Sequence, residues 1–469
     1  MQYGLKSNDL WAEQSAFAAR VCDILKNRMP GGAKACVVTF GCQQNVSDSQ
    51  RIRGMLSAMG YTFTEKAEEA DFIIFNTCAV REHAEDRVYG NIGAVKKYKK
   101  TNKNLIIAVC GCMVQQEHVR KKLRESYPYV DIVFGTQVGH RLPEFVYTRL
   151  TGGKRVFETE LNNAAVTEGV PINRDDTFKG FVPVMYGCDN FCTYCIVPYA
   201  RGRERSRTSA EILAEAESMI KAGYREIMLL GQNVNSYGKG LQEDINFAKL
   251  LRKVNDLPGD FRIRFMTSHP KDCTEELLLA MRDCEKAEKH LHLPVQCGSD
   301  RILKIMNRRY TAEGYMRLVN RARELMPDID LTSDIIVGFP GETYEDFKKT
   351  VELVKKIGYS SLFTFIYSPR NGTPAAAMPD PVSREEKGRW FSELLAVQDA
   401  IGREKEKAAV GKTVRVLCEE MTDDGLVLGK TDGVYAVRFK GNKSLIGNFA
   451  NVRIDSYDNA LYGTQVQKG

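Results

Sequence analysis

The sequence predicts an α/β protein with three units: an N-terminal open parallel α/β sheet, a central partial barrel of six βα units and a small C-terminal all-β barrel. Apolar runs alternate with helical stretches over residues 33–150, and a second alternating series covers residues 174–404. Such alternation is typical of parallel sheets with helices on their faces. From residue 410 onward, short strands are separated by turn signals, which indicates an all-β unit.

The N-terminal unit, residues 33–150, contains four apolar runs that we interpret as buried strands. They lie at 35–40, 71–75, 105–109 and 130–134, with helices at 47–59 and 80–99. A polar extension, residues 1–32, precedes the unit and has a helical stretch near 11–25. Residues 151–173 are polar and lack periodicity, so we expect a linker there.

The central unit, residues 174–404, repeats the strand and helix pattern. Its predicted strands lie at 182–186, 226–231, 262–267, 290–295, 331–337 and 361–367, with helices at 209–222, 275–282 and 344–357. In related barrels the chemistry takes place at the carboxyl ends of the strands. A charged helix at 383–407 leads to the C-terminal unit, residues 405–469, with strands at 413–417, 426–430, 436–439 and 449–455.

The composition of the 469 residues favours a globular protein without a membrane span. No run of 18 apolar residues and no signal peptide is visible, which points away from insertion and export. The 13 cysteines are bunched, so we expect metal binding in a reducing cytoplasm rather than disulfides. The net charge of +7 permits a nucleic-acid partner without requiring one. Monomer is the default expectation for the oligomeric state.

Three cysteines with CxxxCxxC spacing, Cys188, Cys192 and Cys195, directly follow the first predicted barrel strand. Three thiolates this close suit a 4Fe–4S cluster that keeps one iron free, which is the ligand set of radical S-adenosylmethionine (SAM) enzymes. The aromatic residues Phe191 and Tyr194 between the ligands are typical of that motif. A zinc site is the alternative, but zinc usually takes four ligands, and no partner cysteine or histidine is nearby in sequence.

A second group of cysteines follows the predicted N-terminal strands. Cys42, Cys78 and Cys112 each come just after a strand, and the loops at that edge of an open α/β sheet gather around one crevice. We therefore predict a second three-ligand cluster. Cys110 competes with Cys112, but it ends an apolar run, so we favour Cys112. Buried, inert thiols are the expectation for the cysteines in regular elements: Cys22, Cys36, Cys273, Cys284 and Cys418.

Several motifs resemble the methylthiotransferase family of radical SAM enzymes from about residue 33 to the end of the chain. The cysteine loop continues into IVPYARGRERSR at 196–207, which looks like that family's cluster signature. LGQNVNSY at 230–237, TSHP at 267–270, MNRRYT at 306–311 and YSPRNGTPA at 367–375 look like its branch acting on isopentenylated adenosine in tRNA. The C-terminal barrel is similar to a TRAM domain, an RNA-binding module. Cys297 departs from the family pattern, where relatives commonly carry serine.

The resemblance implies a division of labour between two 4Fe–4S clusters. Cys188, Cys192 and Cys195 would hold the cluster that binds and reduces SAM, and Cys42, Cys78 and Cys112 an auxiliary cluster for sulfur delivery. One SAM would donate a methyl group and another would serve as the radical source. The product would carry a methylthio group on C2 of the isopentenyladenosine at position 37, beside the anticodon. The alternatives within the family are threonylcarbamoyl-adenosine of tRNA and an aspartate of a ribosomal protein.

Two further groups of residues are expected to contact SAM and RNA. Residues at the ends of barrel strands are candidates for holding SAM: Gly231, Gln232, Asn233, Thr267, Ser268, Gln296 and Asp334. Four alternating arginines would share one face of an extended segment and could grip phosphates or a carboxylate: Arg201, Arg203, Arg205 and Arg207. The C-terminal barrel offers the patch of Arg438, Lys440 and Lys443, with Tyr435 and Phe439 available for stacking on bases. An electron donor and a sulfur source would be further partners, and the sequence identifies neither.

Overall fold

The computed structural model describes residues 7–79, 84–161 and 166–466, and it has the predicted α/β fold class with its three units. The first four residues of the helix predicted at 80–99 lie outside the described residues, as do parts of the N-terminal extension and of the predicted linker. The predicted domain boundaries stay predictions. None of the helices within the described ranges is long and apolar enough to cross a membrane.

The N-terminal unit is a six-stranded parallel sheet with helices on both faces. Its strands are β1 (Ala33–Thr39), β2 (Tyr61–Phe63), β3 (Phe72–Thr77), β4 (Ile106–Gly111), β5 (Ile132–Phe134) and β6 (Val156–Glu158), in the spatial order β2-β1-β3-β4-β5-β6. Its helices are α1 (Ser7–Arg28), α2 (Gln43–Ala58), α3 (Ala84–Val95), α4 (Tyr98–Thr101), α5 (Glu117–Ser126) and α6 (Leu142–Leu150). The buried central strands β3 and β4 place their carboxyl ends side by side.

The two edge strands of this sheet were not predicted from the sequence. β6 lies inside residues 151–173, so the expectation of a structureless linker there is wrong for Val156–Glu158, which pair with β5. The strand is short and half-buried, and it therefore lacks the apolar run that marks the central strands. The helix expected near 11–25 is confirmed as α1, which packs on α6 and α2 and buries Ala18, Val21 and Leu25.

The central unit is an open barrel of six parallel strands with helices outside, and it also has one short antiparallel pair of strands. Its elements are β7 (Lys179–Pro183), β8 (Met185–Tyr186), α7 (Val197–Arg201), β9 (Arg205–Ser206), α8 (Ser209–Lys221), β10 (Glu226–Leu230), α9 (Phe247–Asn255), β11 (Arg262–Phe265), α10 (Glu275–Asp283), β12 (His290–His292), α11 (Asp300–Ile305), α12 (Ala312–Leu325), β13 (Asp330–Val337), α13 (Tyr344–Ile357), β14 (Ser361–Ile366) and α14 (Arg384–Ala408). Hydrogen bonds join β7, β10 and β11 into one sheet and β12, β13 and β14 into another. A parallel bridge between Ile263 and Ala287 connects the two sheets.

Seven short 3-10 turns complete the helical elements within the described residues. They are Ala67–Glu69, Met113–Gln115, Gly139–Arg141, Val234–Ser236, Pro270–Asp272, Pro374–Ala377 and Lys443–Leu445. Two of them, Met113–Gln115 and Val234–Ser236, come just after the carboxyl ends of β4 and β10, where the candidate functional residues lie.

The C-terminal unit is a closed five-stranded barrel. Its strands are β15 (Thr413–Met421), β16 (Val427–Thr431), β17 (Ala436–Phe439), β18 (Phe449–Tyr457) and β19 (Leu461–Val466), closed in the order β15-β16-β17-β19-β18. β19 was not predicted, because Gly463 and polar residues interrupt its apolar pattern.

The C-terminal barrel is fastened to the amino-terminal end of the central barrel. Arg262, at the first position of β11, is fully buried and donates from Nη1 to the backbone oxygens of Lys430 and Thr431 at 2.9 and 3.0 Å. Arg264 donates to the oxygens of Thr431 and Gly433 at 3.0 and 3.2 Å. The hairpin between β16 and β17 therefore packs against the amino-terminal end of the central barrel. The carboxyl ends of the barrel strands stay available for chemistry.

Candidate functional site

The first cysteine trio, Cys188, Cys192 and Cys195, lies in the loop between β8 and α7. Cys188 and Cys192 are buried and Cys195 is half-buried. Burial raises the pKa of Cys188 to about 11 and that of Cys195 to about 12, and the nearby Cys192 adds to both shifts. The three thiols are thus near enough to sense each other's charge, and a metal centre would have to displace the protons that burial favours.

A glycine lets the chain enter this loop. Gly187 has φ of +79°, and a Cβ built there would lie 2.1 Å from the backbone oxygen of Arg203. Its N–H donates to Oε1 of Gln232. Any larger residue would be strained in this conformation and would push the loop away from Arg203.

Residues from distant motifs hold the loop from the other side. Thr193 donates from its backbone N to Met306 O at 3.1 Å and from Oγ1 to Ile305 O at 3.0 Å. Asn307, with φ of +58°, donates from Nδ2 to the backbone oxygen of Phe191 at 3.0 Å. The MNRRYT motif at 306–311 thus acts as a support for the cysteine loop.

Arg308, which the sequence reasoning did not single out, contacts the trio directly. Its buried guanidinium donates from Nη1 to Sγ of Cys192 at 3.4 Å and from Nε to the Tyr310 hydroxyl at 2.7 Å. Burial acts to lower the pKa of Arg308, but Tyr194, Tyr310 and Cys192 outweigh it and leave the pKa well above the ordinary value. A buried positive charge therefore lies in hydrogen-bond contact with Sγ of Cys192.

The second trio, Cys42, Cys78 and Cys112, gathers at the carboxyl edge of the N-terminal sheet. Cys42 caps the start of α2 and is exposed, whereas Cys78 and Cys112 follow β3 and β4 and are buried. Burial raises the pKa of Cys112 to about 12, and Cys78 and Cys42 contribute to the shift. The structure therefore places the three cysteines predicted for the auxiliary cluster at one edge of the sheet, and their role as ligands stays a prediction.

Close packing fixes the loops that carry this second trio. At Gly41, with φ of +122°, an added Cβ would lie 2.6 Å from Cys78 Cβ and 3.1 Å from its Sγ. The buried Asn45 donates from Nδ2 to Asn76 Oδ1 at 3.2 Å and to Thr77 O at 2.9 Å, while its Oδ1 accepts from Cys42 Sγ at 3.3 Å. Asn45 thus ties the Cys42 loop to the end of β3.

The structure distinguishes Cys110 from Cys112, the two candidates for the third ligand of the auxiliary cluster. Cys110 is packed into the apolar core beside Ile132 and Phe134, and burial raises its pKa well above the ordinary value. Cys112 instead packs against Ile196 and Ala200, which lie next to the first trio. Only Cys112 of the two therefore points toward the boundary between the N-terminal sheet and the cysteine loop.

The predicted phosphate-binding face of four arginines is wrong for two of its members. Arg201 and Arg207 are each 4 % exposed. Arg207 is paired with Glu168 at 2.6 Å and Glu215 at 2.7 Å, and Arg201 is paired with Asp48 at 2.8 Å. The alternating face does not form because residues Val197–Arg201 are helical and Gly202, with φ of +79°, turns the chain.

The other two arginines of that series differ from each other. Arg205 is half-buried and donates from Nη2 to Arg201 O at 3.0 Å. Arg203 is exposed, forms an ion pair with Asp189 at 3.1 Å and stacks its guanidinium 5.1 Å from the Phe191 ring centre. Because it is exposed, Arg203 remains a candidate for contact with RNA.

Gln232 connects the two cysteine trios. Its Oε1 accepts from Gly187 N, next to Cys188, and its Nε2 donates to Oε1 of Gln44 at 3.3 Å, next to Cys42. This predicted SAM-contact residue therefore spans the boundary between the central barrel and the N-terminal sheet. The two trios lie on opposite sides of one interface.

The remaining SAM candidates lie at the carboxyl ends of the barrel strands. Thr267 and Gln296 both have left-handed backbones, with φ of +65° and +70°, and such strain concentrates at functional sites. Gly231 leaves no room for a side chain, since an added Cβ would lie 2.6 Å from Met185 Cγ. Asp334 is half-buried, within β13, and lies 3.5 Å from Nε2 of His292.

Three buried polar atoms at this end of the barrel have no hydrogen-bond partner among the described residues: Asn233 Oδ1, Ser268 Oγ and His269 Nε2. Nδ1 of His269 accepts from Lys271 N at 3.2 Å, so in the neutral ring the proton is on Nε2. Burial and the nearby Arg308 lower the pKa of His269 to about 2, which keeps the ring neutral. Two of these atoms belong to predicted SAM contacts, and His269, in the TSHP motif, was missed.

A cavity of about 530 Å³ is lined in part by residues that follow Cys112 and Cys195 in the chain, and its volume is within the usual range for ligand pockets. Its walls come from the turn and helix after Cys112, from the helix after Cys195 and from one loop of the central barrel: Gln115, Gln116, Glu117, His118, Lys121, Ile196, Tyr199, Ala200, Asn371 and Gly372. The exposed ring of Tyr199 makes an edge contact with Phe191 at 6.2 Å.

Each trio supplies three thiolates, the ligand type and number that suit a 4Fe–4S cluster with one open iron. Within the described ranges, no group of three or more histidine, cysteine or acidic side chains converges closely enough to hold one metal ion. A cluster distributes its irons, and so it accepts thiolates that are more widely spaced than those around one zinc at about 2.3 Å. The unpartnered atoms of Asn233, Ser268 and His269 likewise fit a polar ligand at the barrel mouth.

The C-terminal barrel presents the charged residues of the expected basic patch but only one of the two aromatic rings expected beside it. Lys440 and Lys443 are exposed and Arg438 is half-buried on β17. Phe439 is 1 % exposed in the barrel core, so the expectation that it stacks on a base is wrong, whereas Tyr435 is half-buried. Cys297, which departs from the family pattern, is fully buried, and its Sγ lies 3.4 Å from Thr350 Oγ1.

Three family models match the chain, one in each unit. They are the Uncharacterized protein family UPF0004 over residues 34–135, the Radical SAM superfamily over residues 182–354 and the TRAM domain over residues 407–464. The three matches follow the same order as the N-terminal sheet, the central barrel and the C-terminal barrel.

Curated relatives match nearly the whole chain. The tRNA-2-methylthio-N(6)-dimethylallyladenosine synthase of Clostridium perfringens (strain SM101) is 50 % identical over 424 residues, 89 % of this chain and 94 % of that protein. The synthase of the same name from Acetivibrio thermocellus is 50 % identical over 423 residues, 90 % of this chain and 88 % of that protein.

Among solved structures, a similar fold occurs in the radical S-adenosylmethionine methyltransferase TsrM from Kitasatospora setae, bound to tryptophan and a SAM analogue. It superposes with a TM-score of 0.55 over 73 % of this chain and 75 % of that chain, at 14 % identity. This likeness supports the fold of the chain and carries no information on its substrate.

Proposed function

Because the chain belongs to the methylthiotransferase family of radical SAM enzymes, we propose that it converts N6-isopentenyladenosine at position 37 of tRNA to its 2-methylthio derivative. The relatives that are 50 % identical carry the name of that activity, which favours this substrate over threonylcarbamoyl-adenosine or a ribosomal aspartate. The observation that carries the proposal is the meeting of two cysteine trios at one interface, on either side of Gln232.

The enzyme uses two 4Fe–4S clusters and SAM. We assign Cys188, Cys192 and Cys195 to the cluster that binds SAM, and Cys42, Cys78 and Cys112 to the auxiliary cluster. When bound, these groups supply what side chains lack: an electron that cleaves one SAM reductively, and the sulfur and the methyl group, the latter from another SAM, that are added to an unactivated C–H position.

The side chains supply geometry and charge around these groups. Arg308 supports the thiolate of Cys192 through its 3.4 Å hydrogen bond. Gln232 fixes the position of one cysteine loop relative to the other, because its side chain is hydrogen-bonded to Gly187 and to Gln44. Burial of Cys78, Cys112, Cys188 and Cys192 limits the water that could quench a radical.

We assign SAM binding to the residues at the carboxyl ends of the barrel strands. His269 can donate from Nε2, Asn233 can accept at Oδ1 and Ser268 can do either, and none of these atoms has a protein partner among the described residues. Gly231, Thr267, Gln296 and Asp334 complete the proposed contacts. A donor and an acceptor side by side match the carboxylate, amino and hydroxyl groups of SAM.

RNA would approach across the exposed side of the cysteine loop and along the C-terminal barrel. Tyr199 lines the 530 Å³ cavity and Arg203 stacks on the neighbouring Phe191, and unstacked loop bases are commonly bound by such groups. Lys440, Lys443 and Arg438 add charge for the phosphates. The target base would leave its stack to reach both trios.

We further propose that the protein acts as a monomer in the cytoplasm, with a separate electron donor and a sulfur source that renews the auxiliary cluster. One experiment tests the function directly: the gene is expressed in a bacterial strain that lacks 2-methylthio-isopentenyladenosine, and the tRNA nucleosides are analysed by mass spectrometry. Appearance of the methylthio nucleoside is expected. Unchanged isopentenyladenosine, or a methylthio group on threonylcarbamoyl-adenosine, would overturn the assignment.

A further inference from the structure

The buried side chain of Arg201 reaches from one cysteine loop into the site of the other. Arg201 ends α7, six residues after Cys195, and is 4 % exposed. Its Nη2 lies 2.8 Å from Oδ2 of Asp48 and 3.4 Å from Oδ1 of Asn45, both on α2 just after Cys42. A guanidinium carried by the central barrel thus sits among the residues that position the second trio.

One oxygen links the guanidinium to a proposed ligand of the second trio. Asn45 Oδ1 accepts from Nη2 of Arg201 at 3.4 Å and from Sγ of Cys42 at 3.3 Å. Burial acts to lower the pKa of Arg201, but Asp48, Cys112 and Cys42 outweigh it and leave the pKa above the ordinary value. Arg201 is therefore charged at every accessible pH, and Asp48 orients it.

The backbone of Arg201 is anchored independently of its side chain. Its carbonyl oxygen accepts from Nε2 of Gln137 at 3.2 Å and from Nη2 of Arg205 at 3.0 Å. The preceding Ala200 O accepts from Oγ1 of Thr136 at 2.7 Å. A change of the Arg201 side chain can therefore leave the contact between the cysteine loop and the N-terminal sheet in place.

We propose that Arg201 is a positioning residue for the auxiliary cluster, a fixed positive charge that stabilises its reduced form and so raises its reduction potential. The inference rests on the proposed assignment of Cys42, Cys78 and Cys112 as ligands. One-electron reduction adds a negative charge to a cluster that already has three thiolates, and a nearby buried cation lowers the cost of that step. Because Arg201 follows the first trio in sequence, movement of either loop would alter this potential.

The test uses protein in which Cys188, Cys192 and Cys195 are all alanine, so that only the second trio can hold a cluster. The protein is reconstituted anaerobically with iron and sulfide, and the potential is measured by titration with chemical reductants, followed by electron paramagnetic resonance. Arg201→Gln is expected to shift the potential to a more negative value, and Arg201→Lys to restore part of the shift. Arg203→Gln, an equal charge change at an exposed position of the same segment, should leave the potential unaltered.

Asp48→Asn is expected to shift the reduction potential in the opposite direction. It removes the negative charge that offsets Arg201, so the potential should become less negative than in the parent protein. A merely structural role for the Arg201–Asp48 pair predicts shifts in the same direction, or none, for both variants, and either result would overturn the proposal. If Arg201→Gln cannot hold a cluster, the sign of the Asp48→Asn shift decides. If the parent protein binds no cluster, the ligand assignment itself is wrong.

Discussion

Arg308 donates a hydrogen bond of 3.4 Å to Sγ of Cys192, although the two residues are 116 positions apart in the chain. The contact joins the MNRRYT segment to the cysteine loop and places a buried positive charge on one proposed cluster ligand. The buried Arg201 reaches the second trio through Asn45, whose Oδ1 accepts from Nη2 of Arg201 and from Sγ of Cys42. Each proposed cluster therefore has one buried guanidinium beside it.

Replacement of Arg308 by glutamine should impair the first cluster and spare the second. Loss of a charge-assisted hydrogen bond of about 1.5–3 kcal/mol predicts roughly 10- to 100-fold slower reductive cleavage of SAM, measured as 5′-deoxyadenosine by chromatography. Arg308→Lys should retain more activity because it keeps the charge. Cleavage at the parental rate in Arg308→Gln would contradict the role.

Replacement of single cysteines should separate the roles of the two trios. Cys192→Ala should abolish SAM cleavage, whereas Cys78→Ala should retain some SAM cleavage and lose sulfur insertion. Both are measured with isopentenylated tRNA under anaerobic conditions, with iron and sulfide content determined in parallel. Cys110→Ala is the matched control, since Cys110 lies in the apolar core. Full product formation by Cys78→Ala would refute its ligand role.

His269→Gln should weaken SAM binding without preventing assembly of the clusters. Removal of the buried Nε2 donor predicts about tenfold weaker binding, the equivalent of about 1.4 kcal/mol, measured by equilibrium dialysis of the reconstituted protein. Lys271→Met is the control, because it keeps the backbone N–H through which Lys271 donates to Nδ1 of His269. Unchanged affinity in His269→Gln would show that the orphan atom is not part of the SAM site.

Two buried histidines predict an acid-sensitive fold. Burial lowers the pKa of His269 to about 2 and that of His290 to about 3, whereas an unfolded histidine titrates near 6.5. Below about pH 6.5 the unfolded chain binds these protons and the folded protein does not, so the free energy of unfolding falls by up to about 1.4 kcal/mol per pH unit for each histidine, down to the folded pKa.

Urea unfolding of the cluster-free protein at about pH 7 and about pH 5.5 measures this slope. His290→Gln should reduce the slope by roughly half of the two-histidine contribution. A slope that does not respond to His290→Gln would contradict the assignment of neutral buried rings.

The basic patch of the C-terminal barrel should act through phosphates. Lys440→Glu with Lys443→Glu should weaken tRNA binding and lower the slope of log affinity against log salt by about 1 per residue, measured by filter binding at several salt concentrations. The pair Lys221→Glu and Lys355→Glu, exposed on helices of the central barrel, is the matched control. Equal losses in the two double variants would mean that only net charge matters.

The sequence predicted the elements that bury continuous apolar runs and missed those that do not. All six barrel strands and the four central strands of the N-terminal sheet were located from their apolar runs, although the side chains of β14 are half-buried or exposed. Val156–Glu158 and Tyr61–Phe63 are three-residue edge strands, and so they left no comparable pattern. The cysteines were predictable because ligand chemistry restricts both their type and their place at strand ends.

The arginines were not predictable in the same way. Alternation of Arg201, Arg203, Arg205 and Arg207 indicates a shared face only in an extended segment, and here a helix and Gly202 intervene. The partners that bury Arg201 and Arg207, Asp48 and Glu168, are far away in sequence. Arg308 likewise contacts Cys192 through tertiary structure alone, and the neighbouring residues in the sequence give no sign of that contact.

Arg262 and Arg264, which bind the backbone oxygens of Lys430 to Gly433, give the C-terminal barrel a fixed seat. Under the proposed function, these contacts set the distance between the basic patch of the C-terminal barrel, where RNA would bind, and the two cysteine trios, where the target base would react. The choice of one adenosine would then depend on its distance from the RNA that the patch contacts, as well as on the sequence around it.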